Sequence, residues 1–135
     1  DIGVGIALDD FGAGYTSFAY LRDIPASLLK IDGQFIAEMV GDRKHRGIVR
    51  AIQQLGAEMG MACLAEWVED VPTLQALLEL NVDYAQGYVF SEALPIESWL
   101  VRQVDLTPLH AARQAAQAVR AATDAEQPVA DRVGA

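Results

Sequence analysis

The chain has 135 residues, 52% hydrophobic and 21% charged, a balance that fits one globular domain and excludes a disordered or fibrous polymer. Ten Lys plus Arg against nineteen Asp plus Glu leave a formal charge of -9, which argues against a nucleic-acid or anionic-membrane surface and requires metal ions or local cations for any anionic ligand. A single Cys63 excludes an internal disulfide, and only two histidines, His45 and His110, exclude a His-rich zinc cage, so a bound metal would be oxygen-ligated.

The predicted elements alternate short apolar runs with helical segments, the pattern of parallel α/β units. The first run, Val4 to Leu8, ends at Asp9 and Asp10. The second, Leu28-Leu29, ends at Lys30, with Ile31 and Asp32 beyond. A helix follows in which Ile48, Ile52, Leu55 and Met59 recur at helical spacing, stopped by Gly60. The third run, Met61 to Ala65, ends at Glu66. Asp70 then reads as an N-cap ahead of Pro72, opening a helix with Leu74, Leu77 and Leu78 toward the core. A weaker run at Tyr84-Ala85 ends at Gln86. Past about Val101 a last helix, over 102–123, has only the thin stripe Leu109, Ala112, Ala116 and Val119, and 124–135 reads as a disordered tail.

No apolar run approaches the roughly 18 residues of a spanning helix, and no charged-then-apolar leader opens the chain. The segment therefore reads as cytoplasmic and without direct membrane contact, which leaves open an anchor in a parent protein. It begins without Met in a strand-like stretch, so Asp1 reads as a cut end.

Asp9, Lys30, Glu66 and Gln86 stand at the carboxyl ends of successive strands, and parallel strands bring such ends to one face. The bland alternative is that each is an ordinary charge where a strand meets solvent. Adjacent Asp9 and Asp10 repel unless protonated or bridged, and hard divalent ions would bridge them while supplying the charge a phosphate needs. Asp10 has the further alternative of capping the next turn. Lys30 is placed to neutralise a phosphate or to orient an attacking water.

Other short motifs are set aside. Gly12-Ala13-Gly14 resembles the start of a dinucleotide loop, but Ser17 occupies the third small-residue place and two aspartates precede it. Asp10-Phe11-Gly12 spells the kinase triplet without the kinase's other loops. Cys63 reads as a buried small hydrophobe, and Arg43-Lys44-His45-Arg46 as a solvated helix start.

Four ordered motifs carry a resemblance: Asp9-Asp10-Phe11-Gly12-Ala13-Gly14-Tyr15, Leu29-Lys30-Ile31-Asp32, Ala65-Glu66-Trp67-Val68-Glu69 and Gln86-Gly87-Tyr88. From about Ile2 to about Trp99 the chain resembles the C-terminal half of an EAL domain, the bacterial cyclic di-GMP phosphodiesterase family. The resemblance implies the last four βα units of a TIM-like (β/α)8 barrel over 1–101, with the additional C-terminal helix beyond it. It implies hydrolysis of cyclic di-GMP to linear pGpG with two Mg²⁺ or Mn²⁺ ions. Asp9 would contact both ions and Asp10 one. Lys30 would hold the attacking water or the phosphate, and Glu66 would support the cluster or accept a proton. Gln86 would position water or metal, and Glu69 would line the substrate site. Phe11, Gly12, Gly14 and Ser17 would belong to a mobile loop that links the metal site to a homodimer interface. An upstream GGDEF or sensory domain is a further implied partner.

Two departures bear on activity. Trp67 stands where the family usually has Gly, and an indole beside Glu66 is expected to crowd the site. The family's first half, with the remaining metal-shell residues, has no counterpart here, and Glu92-Ala93-Leu94 lies after the last strand rather than on the first. Four strands cannot close the barrel, so the chain is expected to be a fragment of a longer protein or to associate. The alternative function is a catalytically degenerate module that binds cyclic di-GMP or a protein partner.

Overall fold

The computed structural model describes residues 3–14, 18–101 and 106–126. Its strands are β1 (Ile6–Phe11), β2 (Ala26–Ile31), β3 (Ala62–Ala65) and β4 (Tyr84–Ala85). They form one sheet in the order β1-β2-β3-β4, every neighbouring pair parallel. The helices are α1 (Phe18–Asp23), α2 (Gly33–Glu38), α3 (Arg43–Glu58), α4 (Val71–Glu79), α5 (Ile96–Val101) and α6 (Thr107–Glu126). Sequential parallel strands joined through helices are the arrangement of a (β/α) barrel, and four of them make an open half.

The two faces of the sheet differ sharply. Strand side chains alternate between faces, and one set, Leu29 and Ile31 of β2 with Cys63 and Ala65 of β3, is almost wholly buried. These residues join Ile36, Val49, Ile52, Leu74 and Leu77 from α2, α3 and α4 in a single core. The opposite set, which includes Lys30 and Leu64, is only partly covered, and Tyr84 of β4, which pairs with Leu64, is exposed. The open face is the one that would line the interior of a closed barrel.

Helix starts follow local chemistry. Asp32, Asp42 and Asp70 cap α2, α3 and α4, their carboxylates accepting from the backbone N–H of Gln34, Lys44 and Thr73, each at 2.7 Å. The Asp70 cap and Pro72 agree with the sequence reading, whereas the Asp32 cap and the short helices α1, α2 and α5 were not anticipated. The buried residues of α3 are Val49, Ile52 and Gly56, with Leu55 packed partly buried against the same core, so Ile52 and Leu55 of the Ile48-Ile52-Leu55-Met59 row face inward. Ile48 and Met59 are left exposed. The helix is turned this way because Gly56 lies against the Cys63 thiol, a close approach that a larger residue would prevent.

Helix α6 buries Ala112 and Ala116 against α4. The small-residue stripe thus has a use: it allows close approach to a neighbouring helix. α6 starts at Thr107 and runs through Glu126, three residues past the expected end, because Asp124, Ala125 and Glu126 contain no breaker and Pro128 comes later. Residues 102–105 and 127–135, including most of the expected tail, lie outside the described residues. Among the described residues no helix is long and apolar enough to cross a membrane.

Candidate metal and phosphate site

In a regular strand Asp9 and Asp10 would point to opposite faces. β1 avoids this with a bulge. Leu8 pairs with Leu29 and Phe11 with Ile31, so three steps on β1 match two on β2. Asp10 takes the extra place with φ at 50°, a left-handed conformation that Asp tolerates better than most residues. Asp9 and Asp10 consequently converge with Glu66, a carboxylate oxygen of each lying within 4.8 Å of the others.

Lys30 joins the strands across this cluster. Its Nζ donates to Asp9 Oδ1 at 2.6 Å and lies 2.6 Å from Glu66 Oε1. The Asp9 carboxylate, facing this ammonium, is held below its ordinary pKa, and Lys30, flanked by Asp9 and then Glu66, is held above its ordinary value. The lysine is therefore cationic throughout the neutral range, a fixed donor and not a base. Glu66 is well covered and Asp9 open to solvent, so one side of the cluster is anchored and the other accessible.

Gln86 and Glu69 lie in an adjoining region. Together with Trp67, Gly87 and Tyr88 they line a cavity of about 390 Å³. Gln86 is fixed by its backbone: its N–H donates to Ala65 O at 2.9 Å, and its carbonyl accepts from Val68 at 3.0 Å. Glu66 and Trp67 are consecutive in the chain, the one a member of the carboxylate cluster and the other a lining residue of this cavity. Trp67 does not draw Glu66 away from Lys30, given their 2.6 Å contact. Tyr88 received no role from sequence. The available signal was a large aromatic three residues beyond the end of β4, and it proves 67% exposed.

Of the loop residues, Phe11 is buried at the end of β1, Gly12 follows at φ 106° with Phe35 filling the space a side chain would need, and Gly14 is exposed. Ser17 lies outside the described residues. A second cluster, Glu38, Asp42 and His45, also brings possible ligand atoms together. There Asp42 caps α3 and contacts His45 Nδ1 at 3.1 Å, which accounts for the grouping as a helix start. Cys63 is 1% exposed, and its thiol is pushed up to about 11, chiefly by burial and further by Asp83, so it is not a neutral-pH nucleophile.

A parallel βα array that gathers carboxylates and a lysine at the carboxyl ends of its strands defines this chain as part of a (β/α) barrel. Residues 1–93 match the EAL domain model, and the chain belongs to the EAL domain family. It is 42% identical over 96 residues to the cyclic di-GMP phosphodiesterase PdeF of Escherichia coli K12, a match covering 71% of this chain and 13% of the relative. To the cyclic di-GMP phosphodiesterase PdeB of Shewanella oneidensis it is 38% identical over 98 residues, 73% of this chain and 11% of that protein. The solved PaMucR phosphodiesterase in complex with c-di-GMP superposes with a TM-score of 0.68 at 41% identity, covering 72% of this chain and 39% of that one. The chain thus spans a small fraction, about an eighth, of these two curated relatives.

Proposed function

We propose that the intact protein, meaning this chain together with whatever supplies the other half of the barrel, is a cyclic di-GMP phosphodiesterase that releases linear pGpG. The observation that carries this reading is the convergence of Asp9, Asp10 and Glu66 around Lys30 at the ends of adjacent parallel strands. The relatives' activity and the c-di-GMP bound by PaMucR support the choice of ligand.

The donor set fits hard divalent ions: three carboxylates, all oxygen, with no sulfur or imidazole among them. Asp9 and Asp10, with Glu66 in the same cluster, are the residues that would hold Mg²⁺ or Mn²⁺ ions. When bound, such ions supply the positive charge an anionic phosphodiester needs and acidify water for attack. The chain's own groups do the rest. Cationic Lys30 donates to the attacking water or to a phosphate oxygen, and Glu66 steadies Lys30 or accepts a proton from that water. Gln86 orients water or ligand at the last strand, and Glu69 lines the ligand cavity. Addition of water at one phosphorus and cleavage of one P–O bond opens the ring. The loop from Phe11 to Ser17 is assigned to a homodimer contact that communicates with Asp10. An upstream GGDEF or sensory domain would provide the signal, in keeping with the bifunctional cyclase and phosphodiesterase MucR among the relatives. The cytoplasm is the fitting compartment for this site.

The test is Asp9→Asn in the intact protein. Mn²⁺-dependent hydrolysis, followed by product chromatography, is expected to vanish. The melting temperature should barely move because the Asp9 side chain is 64% exposed. Undiminished turnover rejects the site. Cyclic di-GMP binding by the wild type with no pGpG formed would favour the binding-module alternative.

A further inference from the structure

Trp67 holds a conformation that its side chain makes costly. Its φ is 54°, in the left-handed region where a bulky residue is strained. The indole is nevertheless seated: an added Cβ on Gly33 would meet Trp67 Cδ2, Cγ and Cε3, so only glycine at the start of α2 leaves room for it. The residue remains 57% exposed and lines the cavity shared by Glu69, Gln86, Gly87 and Tyr88. A large aromatic ring is thus braced on one side by backbone and presented on the other to a cavity that Glu69 and Gln86 also line, one residue along the chain from Glu66 of the carboxylate cluster.

We propose that Trp67 is a ligand-recognition residue of this chain, its indole stacking on one purine base of the cyclic dinucleotide while the phosphates lie over Asp9, Asp10 and Lys30. The inference rests on the phosphodiesterase reading and deepens it. A cyclic dinucleotide presents bases next to its phosphates, and a preset aromatic platform gains stacking energy without losing side-chain entropy on binding. The Glu69 carboxylate on the same cavity offers an acceptor for base N–H groups, so the cavity supplies both a face and an edge contact. This predicts the opposite of simple crowding: removing the indole weakens the ligand complex instead of opening the site.

Three variants of the intact protein, Trp67→Gly, Trp67→Leu and Trp67→Phe, test it by equilibrium dialysis against cyclic di-GMP in Ca²⁺ and by steady-state hydrolysis in Mn²⁺. Gly and Leu should weaken binding about tenfold and raise KM similarly with kcat unchanged, the size of one base–aromatic stack. Phe should stay within about threefold of wild type. Because Gly relieves the positive φ, Trp67→Gly should melt no lower than wild type. Equal affinity for the Leu and Phe variants overturns the proposal, as does a lower melting temperature with unchanged KM, which would mean that the indole is covered by the other barrel half. A wild type that neither binds nor hydrolyses cyclic di-GMP refutes instead the phosphodiesterase reading on which the inference stands.

Discussion

Lys30 is the residue on which the geometry of the site turns. Its ammonium touches Asp9 and Glu66 at 2.6 Å each, and both contacts favour its charged form. The signs can be worked through for both partners. Asp9 has a folded-state pKa below 3.8, so its contribution is present above that ordinary value and is lost as pH falls through the lower folded value. Lys30 has a folded-state pKa above 10.5, so its contribution is present below that value and is lost as pH rises through the higher one. The pair is therefore intact from about pH 4 to above pH 10, and NMR titration of the Lys30 Nζ should show no deprotonation below pH 10. Lys30→Met should reduce turnover about 100-fold or more, the usual cost of removing one fixed donor from a charged transition state. It should also lower the melting temperature, because solvent screens Asp9 but the well-covered Glu66 carboxylate is left unpaired beside two other carboxylates. A titration midpoint near pH 8 would instead make Lys30 a base. The sequence located this lysine by its place after Leu28-Leu29. It was silent on the bulge at Asp10, because backbone register is set by pairing with β2 and by the left-handed φ at one residue, neither of which leaves a mark in side-chain periodicity.

At the scale of elements, the site is held by the close contact of α3 with β3. A Cβ added at Gly56 would lie 2.5 Å from the Cys63 sulfur, which is itself buried. Gly56→Ala should therefore cost about 1–3 kcal/mol through overpacking, even though Ala is the better helix former. Cys63→Ala alone leaves a small cavity and should destabilise as well. In the double variant the new methyl fills the space vacated by sulfur, so urea unfolding should show a combined loss smaller than the sum of the two. Additive losses would mean that the two elements adjust independently. This contact explains why only Ile52 and Leu55 of the helical row in α3 face the core. Ile48 and Met59 look like core residues to a periodicity argument, but a glycine facing a thiol decides how the helix is turned. The Asp70 and Pro72 start of α4 was legible for the contrary reason: a cap is a local interaction between a carboxylate and an N–H three residues away.

For the molecule as a whole, the open face of the sheet governs behaviour. β1 and β4 are the two edges of a four-stranded parallel sheet, and parallel sheets are ordinarily covered on both faces. Here helices cover one face, while Lys30, Leu64 and Tyr84 lie on the other. Unpaired edges and a bare inner face seek a partner, and a closed barrel removes both. The ordered motifs made this half-barrel legible. What covers its inner face could not be read, since periodicity reports that a residue is apolar and not which surface it meets. The chain by itself should accordingly form associated species in light scattering and give no pGpG from cyclic di-GMP in Mn²⁺. Adding the four complementary βα units of an EAL barrel, as a separate polypeptide or joined to this one, should yield a discrete complex and restore hydrolysis, because the remaining ligands and the missing wall of the cavity then meet Asp9, Asp10 and Glu66. Hydrolysis by a monomer of this chain alone would show that the carboxylate cluster and Lys30 suffice without barrel closure, and the dependence on a second half would be wrong.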